Sequence, residues 1–150
     1  LWLSRMGARV TGLSLAPTSQ PNLFELLTLT EQCDSHIGDI RNPSAVRDVV
    51  VRSQPEVVIH MAAQALVRAS YREPVETLAT NVMGTAHVLD ALRVTAWWQR
   101  GFALGVAAHG IGTSRAFSVN AEAGAYASLG MGLHGIAGAV VIPYAVAWWF

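Results

Sequence analysis

The 150-residue chain contains no lysine, since all ten of its basic residues are arginine. No mechanism can therefore use a lysine side chain as a Schiff base, as a phosphate ligand or as the cation that lowers the pKa of a catalytic tyrosine. Cys33 is the one cysteine, so the chain has no intrachain disulfide and no zinc site built from several cysteines. The formal net charge is zero, and without a basic surface we expect no nucleic-acid partner.

Charged residues are also scarce in the last third of the sequence. Eight of the ten arginines and nine of the ten acidic residues precede residue 96, and only Arg100, Arg115 and Glu122 follow it. This composition predicts a soluble domain of cytoplasmic type over residues 1–95 and an apolar helical segment over residues 96–150. The sequence begins at Leu1 without a signal-peptide pattern, so we expect a chain that is truncated at its start.

Strand and helix signals alternate along residues 1–95. Short apolar runs predict strands at 9–13 and 35–38 and a buried strand at 56–60. The alternation predicts a parallel sheet covered by helices, with ligands beyond the carboxyl ends of the strands, here at the Asp39 turn and the loop 61–70. Capping residues and apolar periodicity predict four helices: one that ends at Gly7, a short one at 23–28, one capped by Asn42 and stopped at Gln54 and Pro55, and a long one at 74–93.

Five short motifs occur in a fixed order along this first part. Together they closely resemble the extended short-chain dehydrogenase/reductase family and, within it, the CDP-glucose 4,6-dehydratases. The resemblance implies a Rossmann-like fold that binds NAD or NADP, with a nucleotide sugar as the second partner. The motifs are Val10-Thr11-Gly12-Leu13-Ser14-Leu15-Ala16-Pro17, Ser35-His36-Ile37-Gly38-Asp39-Ile40-Arg41, His60-Met61-Ala62-Ala63-Gln64, Ser70-Tyr71 and Asn81-Val82-Met83-Gly84-Thr85.

The same resemblance implies roles for individual residues. Asp39 would accept a hydrogen bond from the adenine amino group, and Ile40 would pack on the adenine ring. Near the ribose and nicotinamide, the cofactor would be lined by Ala62, Ala63 and Gln64, and Asn81 would help to organise the active site. The residues alone leave simpler alternatives open: Asp39 as a solvated turn residue, Gln64 as a polar loop residue, and His60 as a hydrogen-bonded histidine at a strand end.

The sequence also departs from this family pattern. A dinucleotide site needs a glycine-rich turn after its first strand, and in this family that strand would precede Leu1. The family's Tyr-x-x-x-Lys pair is absent, and the residues 97–100 replace the strand that leads to its other catalytic groups. We therefore expect an incomplete Rossmann-like parallel sheet that lacks its first strand, weak or absent cofactor binding, and neither hydride transfer nor water elimination.

The second part has the pattern of a membrane segment. Residues 101–114 are uncharged, rich in glycine and too short to span a bilayer, as in the broken helices of transporters. The 28 uncharged residues 123–150 are long enough to cross one, and they end in the aromatic residues 148–150, which suit a membrane interface. Close helix contact is predicted at the small residues Ala127, Gly130, Gly132, Gly135 and Gly138.

Residues 107–117 and 127–135 resemble the C-terminal end of the LrgB family, over residues 100–150 as a whole. These membrane proteins are linked to control of murein hydrolase export. The resemblance implies that a central polar site includes His109, Gly110, Gly112, Thr113 and Arg115. The residues alone also allow His109 and Arg115 to lie at a water interface, and we expect His134 to pack or to form a hydrogen bond between helices.

Three functional interpretations follow from the sequence. The first is an inactive dehydratase-like fragment joined to an LrgB-like membrane segment in a truncated or chimeric reading frame. The second is a fragment of an LrgB-family membrane protein. The third is a small soluble α/β binding module whose tail packs as a core helix, which Pro143 and the many glycines leave open because they weaken a spanning helix.

Overall fold

The computed structural model of the chain describes residues 2–149. Leu1, Phe150 and the side chain of Trp149 lie outside this description, and with them the start of the first predicted helix and two of the predicted interface anchors. The elements, in chain order, are α1 Trp2–Arg5, β1 Thr11–Ser14, α2 Leu23–Leu26, α3 Leu29–Gln32, β2 Asp34–Ile37, α4 Pro43–Ser53, α5 Val67–Arg72, α6 Pro74–Leu78, a π-helical turn Ala79–Met83, α7 Gly84–Ala91, α8 Trp97–Val119 and α9 Ala121–Trp149.

Two of the predicted strands form a small parallel sheet. β1 pairs with β2, with Thr11 opposite Asp34 and Ser14 opposite Ile37, and α2 and α3 connect them. The α/β class and the incomplete parallel sheet are therefore confirmed. Asp39 lies two residues after the carboxyl end of β2, which is the position that the sequence predicted for a ligand-binding turn.

The prediction of a third, buried strand at 56–60 is wrong. Val57 and Ile59 are 78% and 64% exposed, and the segment is irregular. A parallel strand must share its backbone hydrogen bonds with a neighbouring strand. In the described part of the chain β1 pairs with β2 alone, and no backbone hydrogen bond joins 57–59 to another segment. Apolar, β-branched composition without a partner is not enough to form a strand.

The helix α4 begins and ends where its capping residues predict. The side-chain oxygen of Asn42 accepts hydrogen bonds from the backbone N–H groups of Ser44 and Ala45, at 3.0 and 3.3 Å. The helix stops at Ser53, because Gln54 adopts the left-handed conformation and Pro55 follows. Val46 is buried where α4 packs on β1 and on α7.

The long helix predicted at 74–93 is present as three consecutive pieces, α6, the π-helical turn and α7, which we call the central helical stretch, residues 74–91. The π-helical turn, which contains Asn81, is often found at functional sites. The loop predicted at 61–70 ends at Leu66, because α5 begins at Val67. No glycine or proline interrupts residues 67–72, and Pro74 follows the end of this short helix.

In the second part, α8 is broken in the middle as the glycine-rich sequence predicts. His109 has φ 46° and ψ −130°, and a Cβ atom placed on Gly112 would lie 2.5 Å from the carbonyl oxygen of Leu104. In a straight helix two residues eight positions apart are separated by about 12 Å. The chain therefore folds back at His109, and residues 97–108 and 110–119 form a helical hairpin.

The helical hairpin packs closely on the first turns of α9. A Cβ atom on Gly101 would overlap the carbonyl group of Ala123, and one on Gly105 would overlap that of Ala127. On the α9 side, a Cβ atom on Gly130 would lie 2.6 Å from the carbonyl oxygen of Phe102. The close contact predicted for Ala127 and Gly130 is thus confirmed. No other helix among the described residues lies within 4 Å of a Cβ atom on Gly132, Gly135 or Gly138, so the close contact expected at these three glycines stays a prediction.

The helix α9 is long and apolar enough to cross a membrane. Over residues 121–148 its mean hydropathy reaches 1.6 in an 18-residue stretch of which 6% is buried. Pro143 lies inside the helix without ending it. Among residues 2–149, α9 is the one helix whose length and composition would allow it to cross a membrane.

The close contact predicts opposite effects for two glycine-to-alanine substitutions in the hairpin and α9. Alanine is better than glycine in a helix by about 1 kcal/mol, so Gly132→Ala should leave the free energy of unfolding unchanged or raise it. Gly105→Ala should lower it by about 1–3 kcal/mol, because the added methyl group meets the backbone of Ala127. Circular dichroism of the full chain in detergent, titrated with sodium dodecyl sulfate, measures both. Equal effects would contradict the packing.

Candidate functional site

The backbone of the loop 61–66 is held by one side chain of the π-helical turn. The N–H group of Gln64 donates to Asn81 Oδ1 at 2.7 Å, and Asn81 Nδ2 donates to the carbonyl oxygen of Gln64 at 3.0 Å. The side chain of Gln64 turns back on its own loop, where its Oε1 accepts from the N–H group of Leu66 at 2.8 Å. Asn81 therefore gives the loop backbone the hydrogen-bond partners that a neighbouring strand provides in a sheet.

The beginning of this loop is held by a second contact. Thr85, only 2% exposed, donates its hydroxyl hydrogen to the carbonyl oxygen of Asn81 at 2.7 Å. Because that hydroxyl has one hydrogen, His60 Nε2, which lies 2.9 Å from Thr85 Oγ1, acts as the donor. Burial lowers the pKa of His60 and so favours the neutral ring, whose hydrogen lies on Nε2 when that atom is the donor. His60 is thus a hydrogen-bonded structural histidine, and its Nδ1 is left as an acceptor.

The Asp39 turn is organised by Arg41. Asp39 Oδ1 accepts from the Arg41 N–H group and Oδ2 from Arg41 Nε, both at 2.8 Å, while Arg41 Nη1 reaches Glu76 Oε1 at 3.1 Å. The hydrogen bonds from the Arg41 side chain hold the pKa of Asp39 below its ordinary value. An open groove of about 480 Å³ begins beside this ion pair and is lined by Arg41, Arg72, Glu73, Pro74, Val75, Glu76 and Ala79.

Ile40, expected on the adenine ring, packs against the central helical stretch. A Cβ atom on Gly84 would lie 2.9 Å from Ile40 Cγ2, so a glycine at this position leaves the space that Ile40 occupies. The carbonyl oxygen of Ile40 lies 3.0 Å from Nδ1 of His87. Ala62 and Ala63 are exposed in their loop. Both predicted loops thus lie against residues 74–91, but through different residues of that stretch.

Residues of the second candidate site lie around the break in α8. The rings of His109 and His134 are 5.2 Å apart between centroids, and both residues are exposed. Gly112 lets the two halves of the hairpin approach each other, whereas nothing lies within 4 Å of a Cβ atom on Gly110.

Two polar residues follow on the second half of the hairpin. Thr113 Oγ1 is buried and has no hydrogen-bond partner among the described residues. The guanidinium group of Arg115 is exposed and donates to Ser118 Oγ at 3.2 Å. Within residues 2–149 no three histidine, cysteine or carboxylate side chains converge as metal ligands would.

Two family models match the chain in overlapping ranges. The model described as "Polysaccharide biosynthesis protein" matches residues 18–96, and the model described as "LrgB-like family" matches residues 75–148. Both resemblances predicted from the sequence are confirmed. The LrgB-like match begins 25 residues before the predicted start at residue 100, and both matches include most of the central helical stretch.

Curated relatives match the first part of the chain. The CDP-glucose 4,6-dehydratase of Salmonella typhimurium is 50% identical over 93 residues, which are 62% of this chain and 26% of that protein. The dTDP-glucose 4,6-dehydratase of Xanthomonas campestris is 37% identical over 90 residues, 58% of this chain and 25% of the relative. A GDP-mannose 4,6-dehydratase of Sordaria araneosa is 30% identical over 92 residues, which are 61% of this chain and 17% of that protein. The chain thus spans about a quarter of the length of these relatives or less.

The two hydrogen bonds of Asn81 predict a local effect of Asn81→Ala. Two loop backbone groups lose their partners, at a cost of about 1–3 kcal/mol, so the Gln64 amide should exchange its hydrogen roughly tenfold to a hundredfold faster. Hydrogen exchange of the full chain measures this. Asn22→Ala is the matched control, because Asn22 caps α2 and does not touch the loop. Similar exchange at Gln64 in both variants would contradict the role of Asn81.

The ion pair at the Asp39 turn predicts a shift in titration. Arg41→Gln should raise the pKa of Asp39 toward its ordinary value of 3.8, which carboxyl chemical shifts measure. Since the folded-state pKa is lowered, the pair stabilises the fold above about pH 4 and loses this contribution as the pH falls through the folded-state pKa. Arg47→Gln, an exposed arginine of α4, is the control. An Asp39 that titrates alike in both variants would refute the assignment.

Proposed function

This chain belongs to the polysaccharide biosynthesis protein family through residues 18–96, and we propose that these residues form the cofactor-contacting loops of a nucleotide-sugar 4,6-dehydratase-like fold. The observation that supports this most directly is the pair of hydrogen bonds between Asn81 and the Gln64 backbone, which fixes one of the two loops. The 50% identity to a CDP-glucose 4,6-dehydratase over 93 residues supports a nucleotide sugar as the proposed substrate class and NAD or NADP as the proposed cofactor class.

On this proposal, each loop residue has one task. The carboxylate of Asp39 accepts a hydrogen bond from the adenine amino group, and Arg41 orients that carboxylate through its hydrogen bonds. Ile40, anchored on Gly84, presents the remainder of its half-buried side chain to the adenine ring. The exposed Ala62 and Ala63 leave room for the ribose and nicotinamide, and Gln64 lines the same side.

The proposal also concerns what these 150 residues do not supply. The family's base is a tyrosine whose pKa is lowered by a neighbouring lysine, and the chain has no lysine at all. A dinucleotide pyrophosphate is usually bound by backbone N–H groups of a glycine-rich turn that opens a helix. We propose that the chain alone contacts the cofactor weakly and does not catalyse dehydration.

A calorimetric titration with NAD⁺ and NADP⁺ tests this proposal. We expect dissociation constants in the millimolar range, about −4 kcal/mol, and no 4-keto sugar from CDP-glucose. At millimolar NAD⁺, backbone amide shifts should change at the Asp39 turn and at Gln64. The Salmonella typhimurium dehydratase is the positive control for both assays. Micromolar affinity or turnover would refute the weak-binding proposal, and the absence of shift changes at both loops would refute the binding site.

A second function is favoured by the match of residues 75–148 to the LrgB-like family. We propose that residues 97–149 insert into a membrane, with His109, Gly110, Gly112, Thr113 and Arg115 as a polar site at the helix break. By resemblance, this part would act in control of murein hydrolase export. The soluble alternative would leave Ile136, Val141 and Ile142, each at least 60% exposed, in water. Retention in the membrane pellet after an alkaline carbonate wash tests the insertion.

A further inference from the structure

We propose that the helical hairpin, residues 97–119, enters the membrane as a re-entrant element whose two ends lie on the same side, and that α9 alone among the described residues crosses the bilayer. This inference rests on the membrane insertion proposed above and adds its topology. The lipid bilayer is the partner, and the hairpin together with α9 is the surface that it covers.

The length of the hairpin fits half of a bilayer. Residues 110–119 form ten residues of helix, about 15 Å long, whereas the hydrocarbon core is about 30 Å thick. A helix that turned back after 15 Å would therefore place His109 near the midplane. The turn itself is irregular backbone, which lipid tolerates only where protein covers it. The close contacts of Gly101 and Gly105 hold the first half of the hairpin against α9, and at the turn itself the ring of His109 meets the ring of His134.

Polar residues mark both ends of the hairpin as lying at one membrane surface. In its first turn, Arg100 Nη2 forms an ion pair with Asp90 Oδ1 of α7 at 2.7 Å. After it, the turn at Asn120 is followed by Glu122. Arg115 lies between the tip and this turn, and its guanidinium group donates to Ser118, toward Asn120. Such an extension lets a charged group reach the surface from a helix inside the membrane.

Two aromatic residues lie near the same ends of the hairpin and of α9 as these polar residues. The rings of Trp98 and Tyr126 are 6.1 Å apart between centroids, and both residues lie near the polar ends of their helices. Tryptophan and tyrosine are enriched at the boundary between headgroups and hydrocarbon. At the other end of α9, Trp148 is 88% exposed and suits the opposite boundary.

The contact between the two histidines agrees with this depth. His134 lies 13 residues after Ala121 and 14 residues before Trp148, about 20 Å along the helix from either one. It is therefore in the middle of α9, where its ring meets the ring of His109 at the tip of the hairpin. Beyond His134 the large apolar side chains of α9 are exposed, as a helix surrounded by lipid requires.

The arginine distribution gives the orientation. Both arginines of the second part lie at or near the hairpin ends, and Arg93 lies four residues before the hairpin begins at Trp97. Basic residues next to membrane segments favour the cytoplasmic side. The hairpin ends thus face the cytoplasm, and Trp148 faces the other side of the membrane.

Single-cysteine labelling of the full chain in membrane vesicles tests this topology. In a Cys33→Ser background, cysteine replaces one exposed residue at a time: Gln99 in the first turn of the hairpin, Ile111 at its tip, Glu122 after it, and Trp148 at the end of α9. A membrane-impermeant maleimide is applied to inverted and to right-side-out vesicles. We expect Gln99→Cys and Glu122→Cys to react at least tenfold more in inverted vesicles, and Trp148→Cys to show the reverse preference.

The Ile111→Cys variant and an alkaline carbonate wash distinguish a failure of the re-entrant topology from a failure of membrane insertion. Ile111→Cys should react at least tenfold less than Glu122→Cys from either side, and equally after detergent is added. If Gln99→Cys and Glu122→Cys react from opposite sides, or Ile111→Cys reacts freely in intact vesicles, the re-entrant topology is refuted while insertion stands. If carbonate extracts the chain and all four variants react from one side, the insertion proposed above fails as well.

Discussion

No described strand lies beside the loop 61–66 or His60 before it, and the central helical stretch, residues 74–91, holds this backbone instead. Asn81 bonds both the N–H and the carbonyl group of Gln64, and Thr85 holds His60. Through Glu76, Gly84 and His87 the same stretch fixes the Asp39 turn, and through Asp90 it contacts the start of α8. Every candidate site of the first part therefore depends on the position of this one stretch.

Local signals predicted those parts of the fold that local interactions determine. Asn42 and Pro43 begin α4 as expected, because a cap acts within one turn of its own residue. Gly7, with φ 88°, ends the first helix for the same reason. The strand at 56–60 failed because strand formation depends on a neighbour that no local pattern reveals. The π-helical turn at Ala79–Met83 was also missed, since one extra residue per turn hardly changes the apolar periodicity.

The candidate sites were predictable as segments but not as arrangements of side chains. Motif order identified Asp39, Gln64 and Asn81, yet the direct bond between Gln64 and Asn81 joins residues 17 positions apart. Thr85 was overlooked, although its position four residues after Asn81 in the same motif was a usable signal. Glycine content predicted that α8 breaks. The direction of the chain after His109, and hence its return along the first half, follows from packing that no composition encodes.

The ion pair between Arg100 and Asp90 joins α8 to α7 and so links the two parts of the chain. If α8 begins at a lipid surface, this pair is in a medium of lower dielectric constant than bulk water, and its attraction is correspondingly stronger. Anionic headgroups compete with Asp90 for the guanidinium group, and dissolved ions screen it. On the proposed membrane insertion, lipid composition and ionic strength would therefore act directly on the contact between α7 and α8.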